Sequence, residues 1–202
     1  MDVSIKQAVQ RIQSQGVIIY PTETFWGVGG LGTSPEVVQK IRVLKKRPEH
    51  KPFPLIAGSL EQVLNFASLD DSGRDLAKRF WPGSLSILAR AKQTLAPGVR
   101  DESGMVSIRV CPHPGAAQLC LEVGAPLIAT SANPSGGASC SRLQEINSGI
   151  IQEADLILDW QPYPAGGLPS TLVRVLGPAR VQVLRPGKVA QEELEKSGWE
   201  VV

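Results

Sequence analysis

The chain has 202 residues, 42% of them hydrophobic, enough for one domain, 1–202, with a full core. Its 21 basic and 19 acidic residues leave a net charge of only +2, too little to demand nucleic acid as the partner but enough for a compact anion if the charge is concentrated. Cys111, Cys120 and Cys140 form no CxxC pair, which speaks against zinc and against a disulfide scaffold. The N-terminus "MDVSIKQAVQRIQSQG" has no apolar signal core, and no run approaches the roughly 20 apolar residues needed to cross a bilayer, so a cytoplasmic protein without membrane contact is expected.

Ile5, Ala8, Val9 and Ile12 recur at helical spacing before Gly16, predicting a helix over 4–15, followed by a buried strand "VIIY" that stops at Pro21. Ser34 and Pro35 open a second helix with Val37, Val38, Ile41 and Leu44 on its apolar face, ending before Pro48. Strand "PLIA", a helix begun by Ser59 with Gln62 completing a capping box, a helix through "RDLAKRF", strands "LSILA" and "MVSIRV", a helix over 115–123 and strand "PLIAT" come next. A helix near 141–150, strand "DLILD", a Gly/Pro loop over 161–170 and a hairpin turned at Gly177 and Pro178 complete the order. The pattern predicts an α/β fold around a mixed sheet, with long shaped loops where a site would sit.

"GVGGLG" places Gly27, Gly29 and Gly32 in a GxGxxG string. It lacks the acidic residue about 20 positions on that a dinucleotide fold uses for the ribose, so these glycines read as tight backbone at a pocket wall. There is no phosphate loop of the GxxxxGK[ST] type and no GxSxG elbow, and the two histidines do not support a Ser/His/Asp triad. Chemistry here has to rest on cations, hydroxyls and amides, with or without a metal ion, rather than on an imidazole base.

The cations cluster in "KKRPEHK". Lys45, Lys46, Arg47 and Lys51 surround prolines at a helix end, where they could complement the helix dipole or converge on one polyanion. A lysine about 4 Å from a phosphate oxygen is worth on the order of 4 kcal/mol at an effective dielectric near 20. Three loops, "YPTET", "TSANPSGG" and "GGLPST", carry the hydroxyls, amides and glycines that hold phosphate or carboxylate oxygens, and in an open α/β sheet such loops gather at the carboxyl ends of strands.

Through "YPTETFWGVG", "KKRP", "WPGSLSILA", "SIRVCPHP", "TSANPSG", "PSTLVRV" and "LRPGK", from about residue 8 to 188, the sequence resembles the YrdC family, best known as threonylcarbamoyl-AMP synthases. The resemblance implies a single YrdC-like domain, a twisted mixed sheet with flanking helices and a concave basic surface. The implied reaction joins L-threonine, bicarbonate and ATP, carried with Mg2+, into threonylcarbamoyl-AMP and pyrophosphate, with no prosthetic group and no protein-held metal. Its product would serve N6-threonylcarbamoyladenosine formation at position 37 of tRNA, through separate threonylcarbamoyl-transferase proteins.

Carried over motif by motif, the resemblance places Lys45, Arg47, Lys51, Ser131, Asn133, Ser139 and Arg185 at the nucleotide, with Lys45, Arg47, Ser131 and Asn133 as the catalytic set. Thr22, Thr24, Arg109 and Ser170 would surround threonine. Trp26, Met105 and Arg174 depart from the residues many relatives carry at those positions. A paralogue that binds double-stranded RNA or tRNA without synthase activity is the alternative; an aromatic content of 5% argues against single-strand stacking. The Gly/Pro loop over 161–171 has the composition of a mobile lid.

Overall fold

The computed structural model describes residues 3–202. Helix α1 (Ile5–Gln13) starts at Ser4, whose hydroxyl accepts from Gln7 N while the Gln7 side chain accepts from Ser4 N, a reciprocal cap at the first helix of the chain. Strand β1 (Ile18–Pro21) then turns into the antiparallel β2 (Trp26–Gly29), so Gly27 and Gly29 lie in a strand rather than in a phosphate turn, and Gly32 follows beyond it. Helix α2 (Pro35–Lys45) follows, capped by Ser34 and closed by Lys46 in the left-handed region at φ 51°.

The chain continues through β3 (Leu55–Ala57), α3 (Leu60–Phe66), β4 (Ala67–Ser68), α4 (Asp71–Phe80), β5 (Leu85–Ala91), β6 (Met105–Val110) and α5 (Pro114–Val123). Then come β7 (Leu127–Ile128), β8 (Thr130–Ser131), α6 (Ser148–Glu153), β9 (Leu156–Ile157), β10 (Thr171–Gly177), β11 (Arg180–Arg185), α7 (Gln191–Lys196) and β12 (Glu200–Val201).

The strands form two sheets. The smaller has the order β8-β2-β1-β9, and the larger runs β12-β11-β10-β5-β6-β3-β7 with β4 paired to β5. Parallel and antiparallel neighbours mix in both, as the sequence predicts. The expected single strand "PLIAT" breaks at Ala129, with β7 in the larger sheet and β8 in the smaller. Gly29 permits this crossing: Ile128 N donates to Gly30 O at 2.9 Å, and a Cβ on Gly29 would stand 1.7 Å from Ile128 O.

Strand β1 is buried on both faces, so its side chains feed two clusters with the period of two that a strand imposes. Ile19 joins Val28, Val37, Ile41, Leu55, Ile87, Ile108 and Val173 in the larger cluster. Ile18 and Tyr20 join Ala8, Ile12, Leu119, Leu127 and Leu158 in the smaller one. At roughly 25 cal/mol per Å² of apolar surface, this burial is the main favourable term in folding.

Two expectations need correction. The helix near 141–150 is a single 3-10 turn at Leu143–Glu145 followed by α6, because Asn147 supplies a new cap by accepting from Gly149 N. At α3, Ser59 does accept from Gln62 N, but the Gln62 side chain accepts from Gly58 N and donates to Cys120 O, tying the helix to α5 instead of closing a capping box. Among the described residues no helix is long and apolar enough to cross a membrane.

Candidate active site

A cleft of about 550 Å³, within the usual small-molecule range, is lined by Thr22, Thr24, Arg109 and Ser170 together with Arg47, Ser131, Ser139 and Arg185. The carboxyl ends of β1, β6 and β8 meet there, as expected for an α/β sheet, but so do the amino ends of β5 and β10. In a mixed sheet antiparallel neighbours point opposite ends at the same edge, so the loop "GGLPS" reaches the cleft by preceding its strand.

Three of the eleven residues anticipated from the sequence, Lys45, Lys51 and Asn133, do not line this cleft. The left-handed Lys46 separates the two halves of the basic cluster. Lys45 turns inward, 1% exposed, and its Nζ donates to the backbone oxygens of both Ser131 and Asn133. The KxR and SxN motifs are therefore bonded to each other, with Lys45 as a strut behind the turn that presents Ser131. Asn133 shapes the same turn by donating from Nδ2 to Pro134 O at 2.8 Å and Gly137 O at 2.6 Å. Burial, reinforced by the nearby Arg47 charge, pulls the Lys45 pKa down to about 8.

Arg47 turns outward. Its Nε donates to Lys51 O at 3.1 Å and one terminal nitrogen, Nη2, to Pro52 O at 2.8 Å, while the guanidinium carbon sits 4.8 Å from the centre of the Phe53 ring. Lys51 contributes this backbone carbonyl and keeps its side chain exposed. Among the described residues Nη1 has no hydrogen-bond partner, which leaves one edge of the fork for an anion.

Arg109, also in the lining, is 5% exposed and carries the ion pair that sequence reasoning missed. Its Nη1 meets Glu23 Oε1 at 2.8 Å and donates to Gly83 O at 3.2 Å. Ser84 Oγ donates to the same Glu23 oxygen at 2.6 Å, and Cys111 Sγ lies 3.9 Å from the other. Burial alone would raise the Glu23 pKa, but Arg109 and the Ser84 hydroxyl outweigh it and hold the carboxyl below its ordinary range. Arg109 is also desolvated, yet its neighbours Cys111 and Glu23 raise its pKa further. Glu23 stands between two residues singled out for their hydroxyls; its partner is far along the chain, and no local spacing could have revealed the pair.

Ser170 links Arg185 to Ser86. Arg185 donates from Nη2 to Ser170 O at 2.8 Å and to Ser170 Oγ at 3.1 Å, and Ser86 Oγ lies 3.0 Å from that hydroxyl. Ser86 lines the cleft and was also missed, as was Trp26, noted only as a departure. The loop over 161–170 is tied across the Thr22–Thr24 turn: Ala165 N donates to Glu23 O at 3.2 Å and Gly166 N to Thr24 O at 2.8 Å, and the Tyr163 ring lies 6.3 Å from that of Trp26.

Threonylcarbamoyl-AMP synthases are among the relatives of this chain. The one from Stenotrophomonas maltophilia is 32% identical over 170 residues, covering 83% of this chain and 90% of the relative. The one from Psychromonas ingrahamii is 34% identical over 146 residues, covering 71% and 76%. The Bacillus subtilis synthase is 31% identical over 196 residues, which span 96% of this chain but only 56% of that longer protein. Among solved structures, P. abyssi Sua5 complexed with L-threonine superposes with a TM-score of 0.87 at 27% identity, over 98% of this chain and 58% of the other. E. coli YciO does so with a TM-score of 0.76 at 25% identity, over 92% and 90%. A sequence model of the Sua5/YciO/YrdC family, described as "Telomere recombination", matches residues 10–187, and the chain belongs to that family.

Proposed function

We propose that this protein is a threonylcarbamoyl-AMP synthase. The observation that supports this reading is that one cleft is lined both by Thr22, Thr24 and Arg109 and by Arg47, Ser131 and Ser139, with the Arg185–Ser170 contact in its wall. An amino acid and a nucleotide bound together in that cleft would bring an amine and an α-phosphate close to each other.

Threonine's amine adds to bicarbonate and water leaves, giving a carbamate. A carbamate oxygen then attacks the α-phosphorus of ATP, the bond to the β-phosphate oxygen breaks, and pyrophosphate departs. Neither step needs an imidazole base. The open edge of Arg47 and the Ser131 and Ser139 turn would hold the triphosphate, and Lys45 would act through the Ser131–Asn133 backbone that it supports. Arg109 would hold the threonine carboxylate. Magnesium would arrive with ATP as part of the substrate: Glu23, the carboxylate beside the cleft's arginines, is already engaged by Arg109 and Ser84. The product would pass to separate transferases acting on tRNA.

The test is incorporation of labelled bicarbonate into an adenylate by the purified chain with ATP, magnesium and L-threonine, with L-serine as the control. Threonine-dependent product is expected. Folded, ATP-binding protein that yields none refutes the synthase and favours the RNA-binding paralogue.

A further inference from the structure

Glu23 stands apart from its neighbours. Thr22 and Thr24 both line the cleft, while Glu23 between them turns away behind Arg109, its side chain 16% exposed and that of Arg109 6%. Its carboxylate and backbone carbonyl join four segments: the Thr22–Thr24 turn, Ser84 at the entry to β5, Arg109 on β6, and Ala165 of the loop that crosses the turn.

Arg109 cannot lose its charge at neutral pH, so at this depth it needs a counter-ion. With Glu23 the pair is neutral, and an arriving carboxylate gains little from net charge. Its recognition then depends on the direction of the remaining N–H groups. Nη1 is ion-paired with Glu23 and donates to Gly83 O, whereas Nη2 and Nε have no hydrogen-bond partner among the described residues. A guanidinium pinned at one nitrogen offers the opposite edge in a fixed orientation, suited to two parallel bonds to one carboxylate.

We propose that Glu23 is the positioning residue for threonine: by accepting from Arg109 Nη1 and Ser84 Oγ on one oxygen, it registers the Thr22–Thr24 turn against Arg109 and leaves the Nη2 and Nε edge for the substrate carboxylate. The inference rests on the synthase reading and adds to it a residue that touches no substrate.

Kinetics on the full chain, with ATP and threonine varied in turn, test it. In Glu23→Gln the charge that pins Nη1 is gone and the guanidinium can turn, so the misplaced edge should outweigh the gain in net positive charge: KM for threonine should rise about tenfold while KM for ATP changes less than about twofold. Threonine, unlike ATP, should then raise the melting temperature less than it does in the wild type at the same concentration. Glu23→Ala should lose more, and sodium formate should partly restore its threonine turnover while inhibiting the wild type, where formate can only compete for Arg109.

An unchanged threonine KM in folded Glu23→Gln, or equal rises in both KM values, overturns the proposal. Should both Glu23 variants fail to fold, Arg109→Lys decides. Its ammonium can pair with Glu23 but has no second edge, so ATP should still stabilise it and threonine should not; undiminished threonine binding overturns the proposal. The wild type separates the two readings. If threonine neither reacts nor stabilises it, the synthase reading itself fails, whereas a threonine-dependent wild type with an indifferent Glu23 variant refutes only this inference.

Discussion

Lys45 and Arg109 are both almost fully enclosed, 1% and 5% exposed, and both serve the same cleft, yet the chain holds them in opposite ways. Lys45 has no ion-pair partner among the described residues; backbone oxygens of Ser131 and Asn133 receive its ammonium, and its pKa falls to about 8. Arg109 has Glu23, and its pKa rises. A lysine's pKa can fall under desolvation until the charge is lost near neutral pH, whereas an arginine stays charged and must be compensated. The difference suits the roles proposed for them: a strut needs donors, and a carboxylate receptor needs a permanent cation in a fixed orientation.

The largest effect should come from breaking the compensated pair. Arg109→Ala leaves Glu23 buried without its counter-charge and should cost about 3–5 kcal/mol of stability in denaturant unfolding. Adding Glu23→Gln should recover more than half of that loss, since the stranded charge disappears with it. A double variant as unstable as the single one would show that packing, not charge, dominates here.

Lys45→Met should cost less, about 1–2 kcal/mol. It strands two carbonyl oxygens but also removes an ammonium that the interior poorly solvates. ATP should stabilise the variant less than the wild type while threonine binds as before, because the Ser131–Asn133 turn loses its support. If Lys45→Met proves more damaging to stability than Arg109→Ala, the contrast between strut and receptor collapses.

The same two residues show how far the sequence could be read. The strand and helix order was legible because apolar periodicity and the Ser34–Pro35 cap are local signals. Eight of the anticipated residues line one cleft because they sit near the ends of neighbouring strands, in the loops beside them or, for Arg47, just after α2. Inward Lys45 and outward Arg47 were not legible: their parting depends on Lys46 adopting φ 51°, a conformation that a lysine does not advertise as glycine would. Glu23 was hidden for another reason, since its partners on β6 and at the start of β5 are brought to it only by tertiary folding. The break of "PLIAT" at Ala129 was hidden likewise, because either half alone reads as part of one strand.

The prediction most specific to the comparison is one of pH, because the two sites should respond in different pH windows. Glu23 has a lowered folded-state pKa, so its stabilising contribution is present above its ordinary value of 4.5 and is lost as pH falls through the folded value. Lys45 acts in alkali. Between about 8 and the usual 10.5 the unfolded chain retains a proton that the folded chain has released, so stability rises with pH there by at most about 1.4 kcal/mol per pH unit. Measuring unfolding of wild type against Lys45→Met from pH 7 to 10.5 isolates this contribution from every other titrating group. The wild type should gain on the variant across that window, as release of the proton relieves the burial of charge. Parallel curves would mean that the Ser131 and Asn133 carbonyls solvate the ammonium as well as water does, and Lys45 would then be as firmly charged as Arg109.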